Sequence, residues 1–241
     1  MSRITPSPAV IGPVPGALGA VCLVLGPVAF AVAEYASPEG SDDPAGILSN
    51  FATHSTGVTV SIIASLASSF FLLAGLHALL ARPLTRGRAV LPMGLALMLW
   101  SVVTNTLLVG VSVAFQGLSD PSLDSGQMRE AVIAIMANPL APLALTGHYV
   151  MVFAALALGI GFWRAGIGPR WAAVAVAACG LVDAAGGYLG PVGEVVGSIL
   201  SNALIITGFA AEAWFLVREP VRTAVDAAPV TGDRAALEPH A

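Results

Sequence analysis

No lysine occurs in the 241 residues, so all 10 basic side chains are arginine, set against 14 acids for a formal net charge of -4. Without a basic surplus the chain has no face that could neutralise phosphates, which excludes nucleic acid as a partner. Charge of either sign is scarce: charged residues are 10% of the chain, against about a quarter in soluble domains. With 56% hydrophobic residues and a mean hydropathy of +0.86, the composition excludes a water-soluble globular domain. Cysteine is limited to Cys22 and Cys179, each inside an apolar run, which leaves neither a disulfide framework nor a thiolate metal set. Nucleotide-binding loops, nucleophile elbows and Ser-His-Asp arrangements in a recognisable context are absent as well. The all-arginine basic set, with abundant Ala, 26 Gly and 17 Pro, points to a GC-rich bacterial genome.

What the chain has instead is long apolar runs. A helix needs about 20 apolar residues to cross a hydrocarbon core roughly 30 Å thick. Six segments meet that length: Gly16 to Tyr35, Gly57 to Ala81, Ala89 to Phe115, Pro142 to Trp163, Arg170 to Leu189 and Gly193 to Val217. They are apolar on all faces, whereas the strands of a membrane barrel alternate apolar and polar positions. The expected fold is therefore all-α, a polytopic membrane protein with six spans between residues 16 and 217. The flanking tails, 1–15 and 218–241, are Pro-rich or polar and are expected to be disordered.

Arginine sets the orientation, since short cytoplasmic loops collect positive charge. With the N-terminus inside, Arg3, Arg82, Arg86, Arg88, Arg164, Arg170, Arg218, Arg222 and Arg234 are all cytoplasmic, and Arg129 alone is outside. Glu39, Asp42, Asp43, Asp120, Asp124 and Glu130 fall in the two long outer loops. Both termini are thus expected in the cytoplasm and the protein in the plasma membrane. Trp163, Trp171 and Trp214 mark the inner interface, where an amphipathic ring prefers the headgroup boundary. A competing reading makes the first segment a cleavable signal ending near Ala31-Val32-Ala33, although its apolar run exceeds the usual core of roughly 7 to 15 residues.

Both outer loops carry helix signals. Asp42-Asp43-Pro44 ahead of Ile47, Leu48 and Phe51 is a helix start. In the second loop, Leu123 to Met136 reads as a short interfacial helix with Met128, Val132, Ile133 and Met136 at helical spacing.

The patterns Ile47-Leu48-Ser49-Asn50, Ala81-Arg82-Pro83-Leu84 and Phe162-Trp163-Arg164-Ala165-Gly166 leading to Pro169-Arg170-Trp171 mark helix ends. Together they resemble an uncharacterised bacterial six-helix membrane family, a domain of unknown function, over Gly16 to Leu216. That resemblance implies an architecture and carries no catalytic residue.

In hydrocarbon a polar side chain costs several kcal/mol unless it is paired or faces a cavity, so each one is informative. Asp183 lies about thirteen residues into the fifth span, roughly 20 Å from its inner end at 1.5 Å per residue. Cys179, Gly180, Gly186, Gly187 and Gly190 make a small face around it that lets another helix approach, from this chain or from a second copy in a homo-oligomer. Glu194, Ser198 and Asn202 recur every fourth residue down the sixth span. The third span adds Ser101, Asn105 and Ser112, the fourth His148, and Glu34 closes the first. By depth Glu34, His54, Asn105, His148, Asp183, Tyr188, Glu194 and Asn202 fall at or within the outer half, whereas the inner half offers His77 and Glu212, expected to be wet or paired with arginine.

The expected site is a polar pocket between spans three to six, with Asp183, Asn105, His148, Glu194, Ser198 and Asn202 as ligand-binding residues. No pair has a metal-ligand spacing such as His-x-x-x-His, so no metal is assigned, and no cofactor is assignable. Three functions fit. The protein binds or transports a small hydrophobic or amphipathic molecule; or it is an intramembrane enzyme on a lipidic or isoprenoid substrate, with Asp183 as general acid and His148 as a further catalytic candidate. Or it is a structural or regulatory subunit, in which the polar side chains only hold helices together.

Overall fold

The computed structural model describes residues 16–38, 40–41, 43–80 and 89–218, with the side chains of Leu145 and His148 outside that set. The expected tails, 1–15 and most of 218–241, and the Ala81-Arg82-Pro83-Leu84 turn lie outside the described residues. Among the described residues eight helices follow in order: α1 (Gly16–Ala36), α2 (Pro44–Thr53), α3 (Ser55–Leu80), α4 (Val90–Leu118), α5 (Ser125–Met136), α6 (Leu140–Ala165), α7 (Arg170–Tyr188) and α8 (Gly190–Arg218). No strand occurs among the described residues. Six of the helices, all but α2 and α5, are long and apolar enough to cross a bilayer, and the chain is an all-α, multi-pass membrane protein. The span limits differ from the apolar limits of the sequence by a few residues: α4 continues through Gln116, Gly117 and Leu118, whereas α7 ends at Tyr188, one residue short.

Each long helix packs on its neighbour in the chain, and α1 packs along α8, so the six close into a ring in the order α1, α3, α4, α6, α7, α8. The interior is filled by one apolar cluster to which all six contribute, including Leu23, Leu76, Leu91, Leu158, Val176 and Phe209. Phe162 and Phe209 meet edge to face at 6.2 Å, the favoured geometry for aromatic rings. With no hydrophobic drive between helices in lipid, close packing has to hold the ring. The glycines show it: Gly186 of α7 and Gly197 of α8 approach so closely that a Cβ on either would lie 2.8 Å from the other's Cα. Gly180 faces the backbone of Val152 on α6 in the same way, so much of the small face of α7 is covered from within the chain.

The two short helices cap one end of the ring. Asp43 caps α2, its carboxylate accepting the Gly46 N–H at 3.1 Å ahead of Pro44 at the first turn. Asp124 does the same for α5, accepting the Gln127 N–H at 2.9 Å. Ile47, Leu48 and Phe51 then pack with Phe115 and Val132, the Phe51 and Phe115 rings 5.7 Å apart and nearly perpendicular. The face of α5 differs from the expected one. Val132 is buried and Ile135 packs beside it, whereas Ile133 and Met136 are exposed.

Candidate functional site

α1 and α8 run antiparallel, with Gly16 beside Leu216 at one end and Glu34 beside Ser198 towards the other. Ser198 and Asn202 are four residues apart and share one face of α8. That face meets Glu34. The Ser198 hydroxyl donates to Oε1 of Glu34, and the Asn202 amide donates to Oε2 at 2.8 Å while lying 3.5 Å from Ser198 Oγ. The carboxylate is thus clamped by two neutral donors, and no cation among the described residues lies at ion-pair distance from it.

Beside this clamp is a cleft of about 140 Å³ between α1, α6, α7 and α8. Its polar lining is Glu34, Asp183, Ser201 and Asn202, and its apolar lining is Phe30, Met151 and Ile205. Phe30 and Glu34 lie one turn apart on α1, so one face of that helix supplies both an apolar wall and a carboxyl group. Asp183 is half-buried and engaged in an interaction within the fold. A second cavity of about 80 Å³ shares Phe30 and Met151 with the first and reaches Asn105 and Ser101 on α4. There the Ser101 hydroxyl donates to the Gly147 carbonyl at 3.1 Å, which ties α4 to α6.

Of the six ligand-binding residues read from the sequence, Asp183 and Asn202 line the larger cavity and Asn105 the smaller. Ser198 stands behind them as a donor to Glu34. Glu194 is exposed and lines neither cavity, because it begins one turn above the level at which α8 meets α1. His148 lies on α6, but its side chain is outside the described residues.

The expected boundary between spans three to six is corrected. The first span is a wall of the site, since α1 closes the ring against α8 and brings in Phe30 and Glu34. Glu34 was legible by its depth, but nothing in the sequence says that α1 is the neighbour of α8. Glu212 also departs from expectation. It is fully buried, and among the described residues neither carboxylate oxygen has a hydrogen-bond partner or an arginine at ion-pair distance.

Among the described residues no group of His, Cys, Asp and Glu is placed to hold a metal ion. The arrangement in the larger cleft suits a different task. It sets two carboxylates, an amide and a hydroxyl against three apolar side chains, with no basic side chain among the described residues of the lining. In comparisons with family models, curated proteins and solved structures, nothing matches this chain.

Proposed function

We propose that the protein binds or transports a small amphipathic cation in the cleft between α1, α6, α7 and α8. The observation that carries this reading is the pairing of Glu34 and Asp183 in one lining, with no basic residue among its described members. An ammonium group about 4 Å from one carboxylate gains roughly 4 kcal/mol at an effective dielectric near 20, before its desolvation is subtracted. Phe30, Met151 and Ile205 would take the apolar body of the ligand.

Volume limits the ligand further. A dry cavity of about 150 Å³ accepts benzene, and this cleft measures about 140 Å³. An aromatic or short aliphatic amine fits that size, whereas drug-sized ligands use pockets of roughly 300 to 1,000 Å³. The same limit weighs against the enzyme reading, because an isoprenoid chain needs several times the space. With both termini cytoplasmic, as the arginine distribution supports, the cleft belongs to the outer half of a plasma-membrane protein. Membership of the bacterial six-helix family would add an architecture to this reading and no chemistry.

The test is native mass spectrometry with metal analysis on the protein in lipid nanodiscs, comparing wild type with Asp183→Asn. A small cationic species present in wild type and lost from the folded variant supports the proposal. A lipid or metal in its place overturns the ligand class. An Asp183→Asn protein that binds nothing differently but unfolds marks Asp183 as structural.

A further inference from the structure

At the opposite end of the ring from α2 and α5, Glu212 of α8 is fully buried against the turn that joins α6 to α7. The turn is shaped by two glycines in the left-handed region, Gly166 at φ 68° and Gly168 at φ 64°, on either side of the buried Ile167. Gly168 is where the carboxyl group packs, since a Cβ there would lie 2.7 Å from the Glu212 Cδ. Neither oxygen has a hydrogen-bond partner among the described residues.

The described charged groups at this end are turned elsewhere. The Arg170 guanidinium lies 5.3 Å above the Trp163 ring and that of Arg218 lies 4.3 Å above Trp214. Arg164 and, at the end of α3, His77 are exposed, and Arg82, Arg86 and Arg88 lie outside the described residues. None of the described cations is at ion-pair distance from Glu212.

A buried carboxylate with no partner is far costlier than a buried neutral acid lacking one hydrogen bond. No described side chain supplies a partner, and both oxygens are closed off from solvent against Gly168, so what fits there is a proton on the carboxyl group itself. Proton loss would demand water or a guanidinium at the carboxylate. The turn has space to yield, because a cleft of about 460 Å³ lined by residues 162–168 and Arg170 lies along it.

We propose that Glu212 is a proton-binding site, and that release of its proton lets the α6–α7 turn lift from α8. The site stands apart from the cation cleft, so either proposal can fail alone. The experiment is hydrogen exchange by mass spectrometry on the full chain in nanodiscs, from mildly acidic to mildly alkaline pH, corrected for intrinsic exchange. If opening releases one proton, protection of residues 166–173 falls about tenfold per pH unit over part of that range. Glu212→Gln should abolish the slope, while Asp183→Asn should keep it. Should Glu212→Gln fail to fold, Glu212→Leu, similar in volume and without a proton to lose, carries the same readout. A pH-independent turn in wild type, or an equal slope in the Glu212 variants, overturns the proposal.

Discussion

Removing the Asn202 amide deprives Glu34 of the donor that sits 2.8 Å from Oε2, and removing the Glu34 carboxylate leaves Asn202 and Ser198 without their shared acceptor. In water-soluble proteins a hydrogen bond to a charged group contributes about 1.5 to 3 kcal/mol. Between membrane helices the measured average is nearer 0.6 kcal/mol, with a maximum of about 1.7, because polar groups of the unfolded chain also find partners in the bilayer. Glu34 is an exposed residue lining an open cleft between spans, so the membrane scale applies. A double-mutant cycle of Glu34→Ala and Asn202→Ala is accordingly expected to give a coupling of about 0.6 to 1.7 kcal/mol, or roughly 3- to 17-fold in the unfolding equilibrium. Reversible unfolding in bicelles, followed for wild type, both single variants and the double variant, supplies the four free energies. Distant sites add to within about 0.3 to 0.5 kcal/mol, so a coupling no larger than that would mean the clamp does not form and α1 is not a wall of the site.

Two further outcomes test the packing. Gly186→Ala places a Cβ 2.7 Å from the Gly193 carbonyl oxygen and 2.8 Å from the Gly197 Cα, both backbone atoms that cannot rotate away. The α7–α8 contact must open, at a cost of about 1 to 3 kcal/mol in the same unfolding assay, whereas Gly187→Ala, which meets nothing within 4 Å, should be close to neutral. Asp43→Ala removes the cap of α2 and should cost about 1 kcal/mol, seen as faster hydrogen exchange over residues 44–53 with the spans unaffected.

The spans were legible because length and hydropathy suffice to find helices that cross a bilayer; of the two short helices, α2 was legible from its start signal and α5 from apolar residues at helical spacing. The arrangement of the spans was not. Leu18 and Leu23 stand on the same apolar helix, yet one is 55% exposed and the other 0%, because lipid and protein interior are equally acceptable to leucine. A helix that is apolar all round does not announce which face meets which neighbour. Hence the stripe Glu194, Ser198 and Asn202 could be read as one face, but not that α1 meets only its lower two members. For the same reason Glu212, near a helix end, is expected from the sequence to be wet or paired with arginine. Its burial depends on a turn shaped by Gly166 and Gly168, which the pattern of α8 does not contain.

The measurement that bears most directly on the cation cleft is thermal unfolding of the protein in nanodiscs, titrated with benzylamine and with its uncharged counterpart benzyl alcohol. At a concentration 100-fold above Kd, a ligand that binds only the folded state stabilises it by about 2.7 kcal/mol. Benzylamine should stabilise the wild type in a saturable manner, benzyl alcohol should not, and the effect should vanish in Glu34→Gln/Asp183→Asn. Equal stabilisation by the alcohol, or an undiminished response of the double variant to the amine, would contradict a cleft that selects its ligand by charge.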